Sequence, residues 1–206
     1  MALHARDKLS RRSWLLAGLT VPLFRAEAEP LLNVTSDGDN LHVAAPQLHF
    51  LTGAPLARLK DGNLVVFLSQ LTLFRDDHVT VIRRTPERFT VSYDLWEEKF
   101  QVVMAVVGRS AARLSMEETE NWCLGNLAIS AAGLEGPRPF WLHFELRAAK
   151  EKEISSVAGD SGISMRGLID VFSRKAGADE QRWAFHAGPL RLGELPRTVA
   201  RRIRNG

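Results

Sequence analysis

The stretch Leu64–Val107, LVVFLSQLTLFRDDHVTVIRRTPERFTVSYDLWEEKFQVVMAVV, decides the fold. Phe89, Val91, Tyr93 and Leu95 alternate with Thr90, Ser92, Asp94 and Trp96, the period of a half-buried strand. Glu97-Glu98-Lys99 interrupts the apolar pattern, and Phe100, Val102, Met104 and Val106 resume it, so the two runs read as a hairpin. Upstream, Val65, Phe67, Leu71 and Leu73 form one face of a long strand, and Asp76-Asp77 turns the chain into a further strand over Val79–Arg84. Strands joined by short turns pair antiparallel.

Working outward, Leu31–Val34 and Leu41–Ala44 flank the turn formers Ser36-Asp37-Gly38-Asp39-Asn40, a second hairpin, and Gln47–Thr52 reads as another strand. Lys60-Asp61-Gly62-Asn63 is a turn. On the other side, Ser115-Met116-Glu117-Glu118 is a capping box, and Met116, Cys123, Leu127, Ala131 and Leu134 follow at helical spacing, with Gly133 or Gly136 as the stop. Pro137 and Pro139 reset the chain into a strand over Phe140–Ala148, with Phe140, Leu142, Phe144 and Leu146 on its core side. Lys150–Ser164 is polar and small and reads as a loop. A shorter helix is expected over Ser164–Ala176, burying Met165, Leu168, Ile169 and Phe172, before a strand over Trp183–Leu195 broken at Gly188-Pro189. The expected fold is α+β: mainly antiparallel β, a sandwich or curved sheet, with two helices packed on it.

Residues 1–28 have the plan of an export signal. Ser10-Arg11-Arg12-Ser13-Trp14-Leu15-Leu16 resembles the twin-arginine signal, in which an arginine pair precedes an aromatic residue and leucine; Arg11, Arg12, Trp14 and Leu15 carry the match. The apolar run Trp14–Phe24 is short for a membrane span, and Ala26-Glu27-Ala28 places small residues, Ala26 and Ala28, where a signal peptidase reads. Cleavage is expected after Ala28, leaving one domain over 29–196 and a basic tail over 197–206 with no transmembrane segment in the mature chain. Five of the 27 basic and two of the 24 acidic side chains lie in the leader, so the mature chain has 22 of each and gives no basis for nucleic-acid binding.

Chemistry-bearing motifs are sparse. Gly159-Asp160-Ser161-Gly162 matches the surroundings of a trypsin-like nucleophile, but no histidine sits in the matching context, so a hydrolase using Ser161 ranks last. His42, His49, His78, His143 and His186 show no metal-ligand spacing along the chain, although a β-domain can gather His42, His143 and His186 from separate strands; no metal and no cofactor are assigned. Cys123, the single cysteine, sits among apolar neighbours on the expected helix and reads as a small buried hydrophobe. Arg83 and Arg84 with Asp94 and Trp96 are the binding candidates: a cationic pair, a carboxylate and an indole on neighbouring strands. The arginines also suit a charged strand edge.

The long strand from Leu64, the Arg83-Arg84 pair, the run Ser92-Tyr93-Asp94-Leu95-Trp96-Glu97-Glu98-Lys99-Phe100-Gln101-Val102, the Ser115 helix and the Trp141 strand resemble an uncharacterised bacterial family of exported proteins, a domain of unknown function. The likeness spans Leu56–Leu195. It implies an envelope or signalling accessory, since such proteins are in some proteobacteria encoded near a membrane sensor kinase, and it brings no catalytic residues. The chain therefore reads as a non-enzymatic accessory or binding protein, periplasmic or secreted, that meets an envelope protein or a lipid surface. The alternative is a carrier of an apolar ligand lined by Trp96, Trp122, Trp141 and Trp183.

Overall fold

The computed structural model describes residues 32–75, 79–150, 158–159, 162–164, 167, 171–174 and 181–198. The expected leader with Arg11, Arg12, Trp14, Leu15, Ala26 and Ala28, the arginines beyond Thr198, His78 and Ser161 lie outside these residues, as do Met165, Leu168 and Ile169 of the second expected helix.

The organising strand is β3, Val65–Phe74. It pairs along its length with β4, Val81–Asp94, on one side and with β8, Phe140–Ala148, on the other, both antiparallel. β11, Arg182–Leu190, extends the sheet beyond β8. β5, Lys99–Met104, and β6, Arg109–Leu114, extend it beyond β4, giving six strands in the order β11-β8-β3-β4-β5-β6. A second sheet of three strands is built from β1, Asn33–Ser36, β2, Asn40–Ala44, and β7, Ala128–Ser130, in the order β1-β2-β7. Val34, Leu41, Val43 and Ile129 of the small sheet share one buried core with Phe67, Leu71, Phe89, Val102 and Phe144 of the large one. The α+β reading holds, with two sheets face to face.

Alternation explains most of this. Val65, Phe67, Leu71 and Leu73 enter the main core, as do Phe89 and Val91, Phe100, Val102 and Met104, and Phe140, Leu142, Phe144 and Leu146. β3 is also buried on its other face, where Val66 and Leu68 meet Ala149, Val171 and Phe172 in a second, smaller core. Gly167 and Val171–Ser173 are helical there, and the Ser164 hydroxyl accepts from the Gly167 amide at 3.1 Å. Arg147, buried on the same face, donates to the Val171 carbonyl and lies 5.6 Å from the Phe172 ring centre.

Five expectations change. The strand expected over Trp183–Leu195 ends at Leu190 and runs on through Gly188-Pro189 with a register shift, and Leu192–Glu194 form a 3-10 turn. Gln47–Thr52 is not a strand. The Leu51 amide donates to the Glu120 carboxylate at 2.8 Å, and Leu48, Phe50 and Leu51 are buried as a loop leading to α1, Gly53–Lys60, a helix the alternation did not announce. α2 runs over Met116–Gly125, its last residue eight before Gly133, and is capped at Asn126. Its capping box is present, with Ser115 Oγ accepting from the Glu118 amide at 3.2 Å. Leu127, Ile129 and Ala131 then alternate into the core as a strand rather than continuing the helix. The Val79–Arg84 and Phe89–Leu95 strands are one continuous β4, with Leu95 exposed in the turn that follows. The Lys150–Ser164 loop contains a pair of two-residue strands, β9, Ala158–Gly159, and β10, Gly162–Ile163.

Pro86 is tolerated within β4 because β5 pairs only with Phe89–Asp94, so the side of Pro86 away from β3 has no ladder to lose. Next to it, Glu87 is buried at 1% exposure and its carboxylate accepts from the amides of Arg88 at 2.7 Å, Val106 at 2.9 Å and Val107 at 3.1 Å. One carboxylate thus fixes where β4 leaves β5 and how the β5–β6 turn closes. Glu87→Ala removes the acceptor that closes the β5–β6 turn and leaves a cavity at a buried position; it is expected to lower stability by on the order of 2 kcal/mol, with Glu87→Gln losing less, read from urea unfolding midpoints.

Candidate functional site

The two non-glycine residues of positive φ among the described residues, Glu98 at 52° and Arg113 at 60°, flank one corner of the large sheet. Left-handed backbone costs a side-chain-bearing residue roughly 1–2 kcal/mol, so two such residues side by side are an unusual concentration of strain. Each has a local cause. Glu98 closes the β4–β5 turn over Leu95–Glu98. Arg113 belongs to a bulge: Phe100 pairs with Leu114 and Val102 with Ala111, so Gln101 of β5 faces two residues of β6, Ala112 and Arg113. The bulge re-aims the Arg113 guanidinium across the turn to Glu97, 3.1 Å away.

The turn is set from the other side by Asp94. Its Oδ1 accepts from the Trp96 amide at 2.8 Å and the Glu97 amide at 3.0 Å, and these bonds, with Arg113 nearby, hold its carboxyl below the usual carboxylate range. Trp96 stands at the tip, 96% exposed, with Leu95 beside it at 56%. Below the tip lies an open, polar depression of about 390 Å³ whose walls include Ser92, Lys99, Gln101, Ala112 and Arg113. The capped turn, the bulge and the ion pair brace the backbone from which the indole projects, and the indole itself presents a large apolar area to solvent.

Of the four expected binding residues, Asp94 and Trp96 meet at this corner. Arg83 and Arg84 do not. They lie ten or eleven residues up β4, roughly 33 Å away at about 3.3 Å per residue, on the stretch that β5 leaves uncovered. There, with Pro86, they suit the guarding of an unpaired strand edge. Arg113 was missed, because nothing in Arg109–Leu114 marks the bulge before the register is known.

The remaining candidates go to separate places. The carrier's four tryptophans do not gather: Trp96 is at the turn, Trp122 on α2, Trp183 edge-on to Phe50 on the core side of the large sheet, and Trp141 on its outer side. Cys123 is fully buried and its thiol is pushed far up by burial, so it is no nucleophile. His42 sits 2.9 Å from Asp37 and His49 3.0 Å from Glu120. His143 and His186 do come together, opposite each other on β8 and β11 with ring centres 4.4 Å apart. Near them Glu145 is held up by burial, partly offset by Arg182 2.7 Å away, a contact whose angles fall short of an aligned hydrogen bond. The chain was compared with protein-family models, curated proteins and solved structures, and matches none of them.

Two outcomes check these placements. Glu98→Gly and Arg113→Gly each relieve left-handed strain and are expected to raise stability by about 0.5–1 kcal/mol, while Trp96→Ala stays within about 0.5 kcal/mol, all measured by thermal and urea unfolding. Burial first, then His186 and Arg182, lower the His143 pKa to about 4 from 6.5. The unfolded chain therefore takes up a proton at this residue as pH falls below 6.5, and the folded chain does not until about 4. Stability is lost over that window and none of this loss is present above it; His143→Asn is expected to flatten the decline between pH 6.5 and 4 in urea titrations.

Proposed function

We propose that this chain is an exported, non-enzymatic accessory protein of the bacterial cell envelope that works by docking the Leu95-Trp96 turn into a pocket on a partner protein. The observation that carries the reading is the fully projected Trp96 on a strained, braced turn: strain held at one corner by Asp94, Glu97 and Arg113 marks a shape maintained for a purpose other than stability. Asp94, Glu97 and Glu98 flank Trp96 in the chain, three acidic groups against Lys99 and Arg113 at the same corner. That favours a protein pocket with a basic rim over an anionic lipid surface, which the acidic excess would repel. Among the described residues no helix is long and apolar enough to cross a membrane. The twin-arginine-like leader and the resemblance to the exported family of unknown function support an envelope location, and the leader's Arg11 and Arg12 would address the chain to the export machinery.

Two measurements test the halves of this reading separately. A photo-reactive amino acid at position 96, in cells of the native host, is expected to give a discrete cross-linked species that the same probe at Thr52, exposed elsewhere on the surface, does not give; equal or absent cross-linking at both positions refutes the docking turn. For export, Arg11→Lys with Arg12→Lys is expected to leave the full-length chain in the cytoplasm, and unchanged processing would sink the leader assignment.

A further inference from the structure

The outer face of the large sheet carries a second feature, independent of the docking turn. His143 on β8 and His186 on β11 are register partners, so their side chains leave the sheet in the same direction from adjacent strands. Their rings lie 4.4 Å apart, centre to centre, tilted by 31°. Beside them is a cavity of about 200 Å³ walled by Phe74, Trp141, Leu142 and the two histidines. The Nε2 atom of His143 is shut off from solvent, yet among the described residues it has no hydrogen-bond partner. A buried ring nitrogen without a partner is costly, and native proteins leave few of them.

The groups facing the pair do not account for this. Glu145, the nearest carboxylate along β8 on that face, is engaged by Arg182. Thr72, opposite His143 on β3, accepts from the Gln70 side-chain amide at 3.2 Å and makes no bond to His143 Nε2. Among the described residues nothing occupies His143 Nε2, so its lone pair is available to a metal. Two imidazoles side by side on adjacent strands need only ring rotation to converge on a shared ion.

We infer that His143 and His186 form a two-imidazole chelate for a divalent transition metal, with the remaining coordination positions open to water or a small ligand in the adjoining cavity. Imidazole nitrogen suits copper, zinc and nickel, and among these the order of intrinsic affinities puts Cu²⁺ first. Among the described residues no third His, Cys, Asp or Glu closes the sphere, so the site is an open one rather than a closed structural centre. Trp141 supplies a built-in reporter. Its indole packs on Gly188, where a Cβ would collide with the ring, so it is held beside the pair.

The test uses the purified protein without a histidine tag, titrated with Cu²⁺ buffered by glycine and separately with Zn²⁺, followed by calorimetry and tryptophan fluorescence. One saturable equivalent of Cu²⁺ is expected, with quenching that shrinks in Trp141→Phe and weaker binding of Zn²⁺. His143→Ala and His186→Ala should each weaken Cu²⁺ binding at least tenfold, while His42→Ala leaves it unchanged. His186 is exposed, so His186→Ala retains the fold and keeps the test decisive if His143→Ala does not fold. Unchanged affinity in His186→Ala, or the absence of a saturable equivalent, overturns the assignment.

Discussion

Burial of β3 on both faces is the constraint from which the rest of the architecture follows. A strand with Val65, Phe67, Leu71 and Leu73 on one side and Val66 and Leu68 on the other cannot end a sheet or face water. It needs a paired neighbour along each edge, which β4 and β8 supply, and a cover on each face. The three-stranded sheet with α1 and α2 provides one cover, and the helical turn at Val171–Ser173 the other. Each buried aliphatic or aromatic side chain contributes roughly 1.5–3 kcal/mol. The conformational freedom lost by the residues that order around them offsets most of that sum.

Apolar contact alone would leave the connections loose, and two buried carboxylates fix them. Glu87 gathers amides from the β5–β6 turn. Glu120, on α2, holds the Leu51 amide and the His49 ring, joining the loop before α1 to a helix about seventy residues later in the chain. Both accept from turn or loop amides that no strand ladder satisfies, and the Leu51 amide would otherwise be sealed from water. The strain at Glu98 and Arg113 belongs to a different category, because it braces a tip that buries almost nothing.

What the sequence disclosed and what it withheld divide along one physical line. β4, β5 and β8 were legible because each has one face in the core and side chains that alternate with it, and the start of α2 was legible because a capping box is a local chemical arrangement. The end of α2 was not. Cys123, Leu127 and Ala131 recur every four residues, which also fits a helix that stops at Gly125-Asn126 and a strand that follows. Helix α1 has only Pro55 and Leu59 buried; its quieter signs were Thr52 as N-cap, Arg58 and Lys60 in the last turn, and Gly62 beyond it. The site split in the same way. Asp94 and Trp96 are two residues apart in one turn and could be read together. Their separation from Arg83 and Arg84, and the approach of Arg113, depend on strand continuity and register, which only the pairing of distant segments determines.

The parallel bridge between Ser36 and Arg197 carries a consequence of a temporal kind. It is reinforced where the Ser36 amide donates to the Pro196 carbonyl and the Thr198 amide donates to the Ser36 carbonyl, each at 2.9 Å. Nearby, the hydroxyls of Thr35 and Thr198 meet at 2.6 Å across 163 residues of chain. β1 thus forms its hairpin with β2 locally but closes its other contact only with a segment about 160 residues further on. That edge cannot be satisfied until Pro196–Thr198 have been made, and contacts across so long a span form slowly because their loop must close first. Closing the β1 edge is accordingly a step that follows the local hairpins.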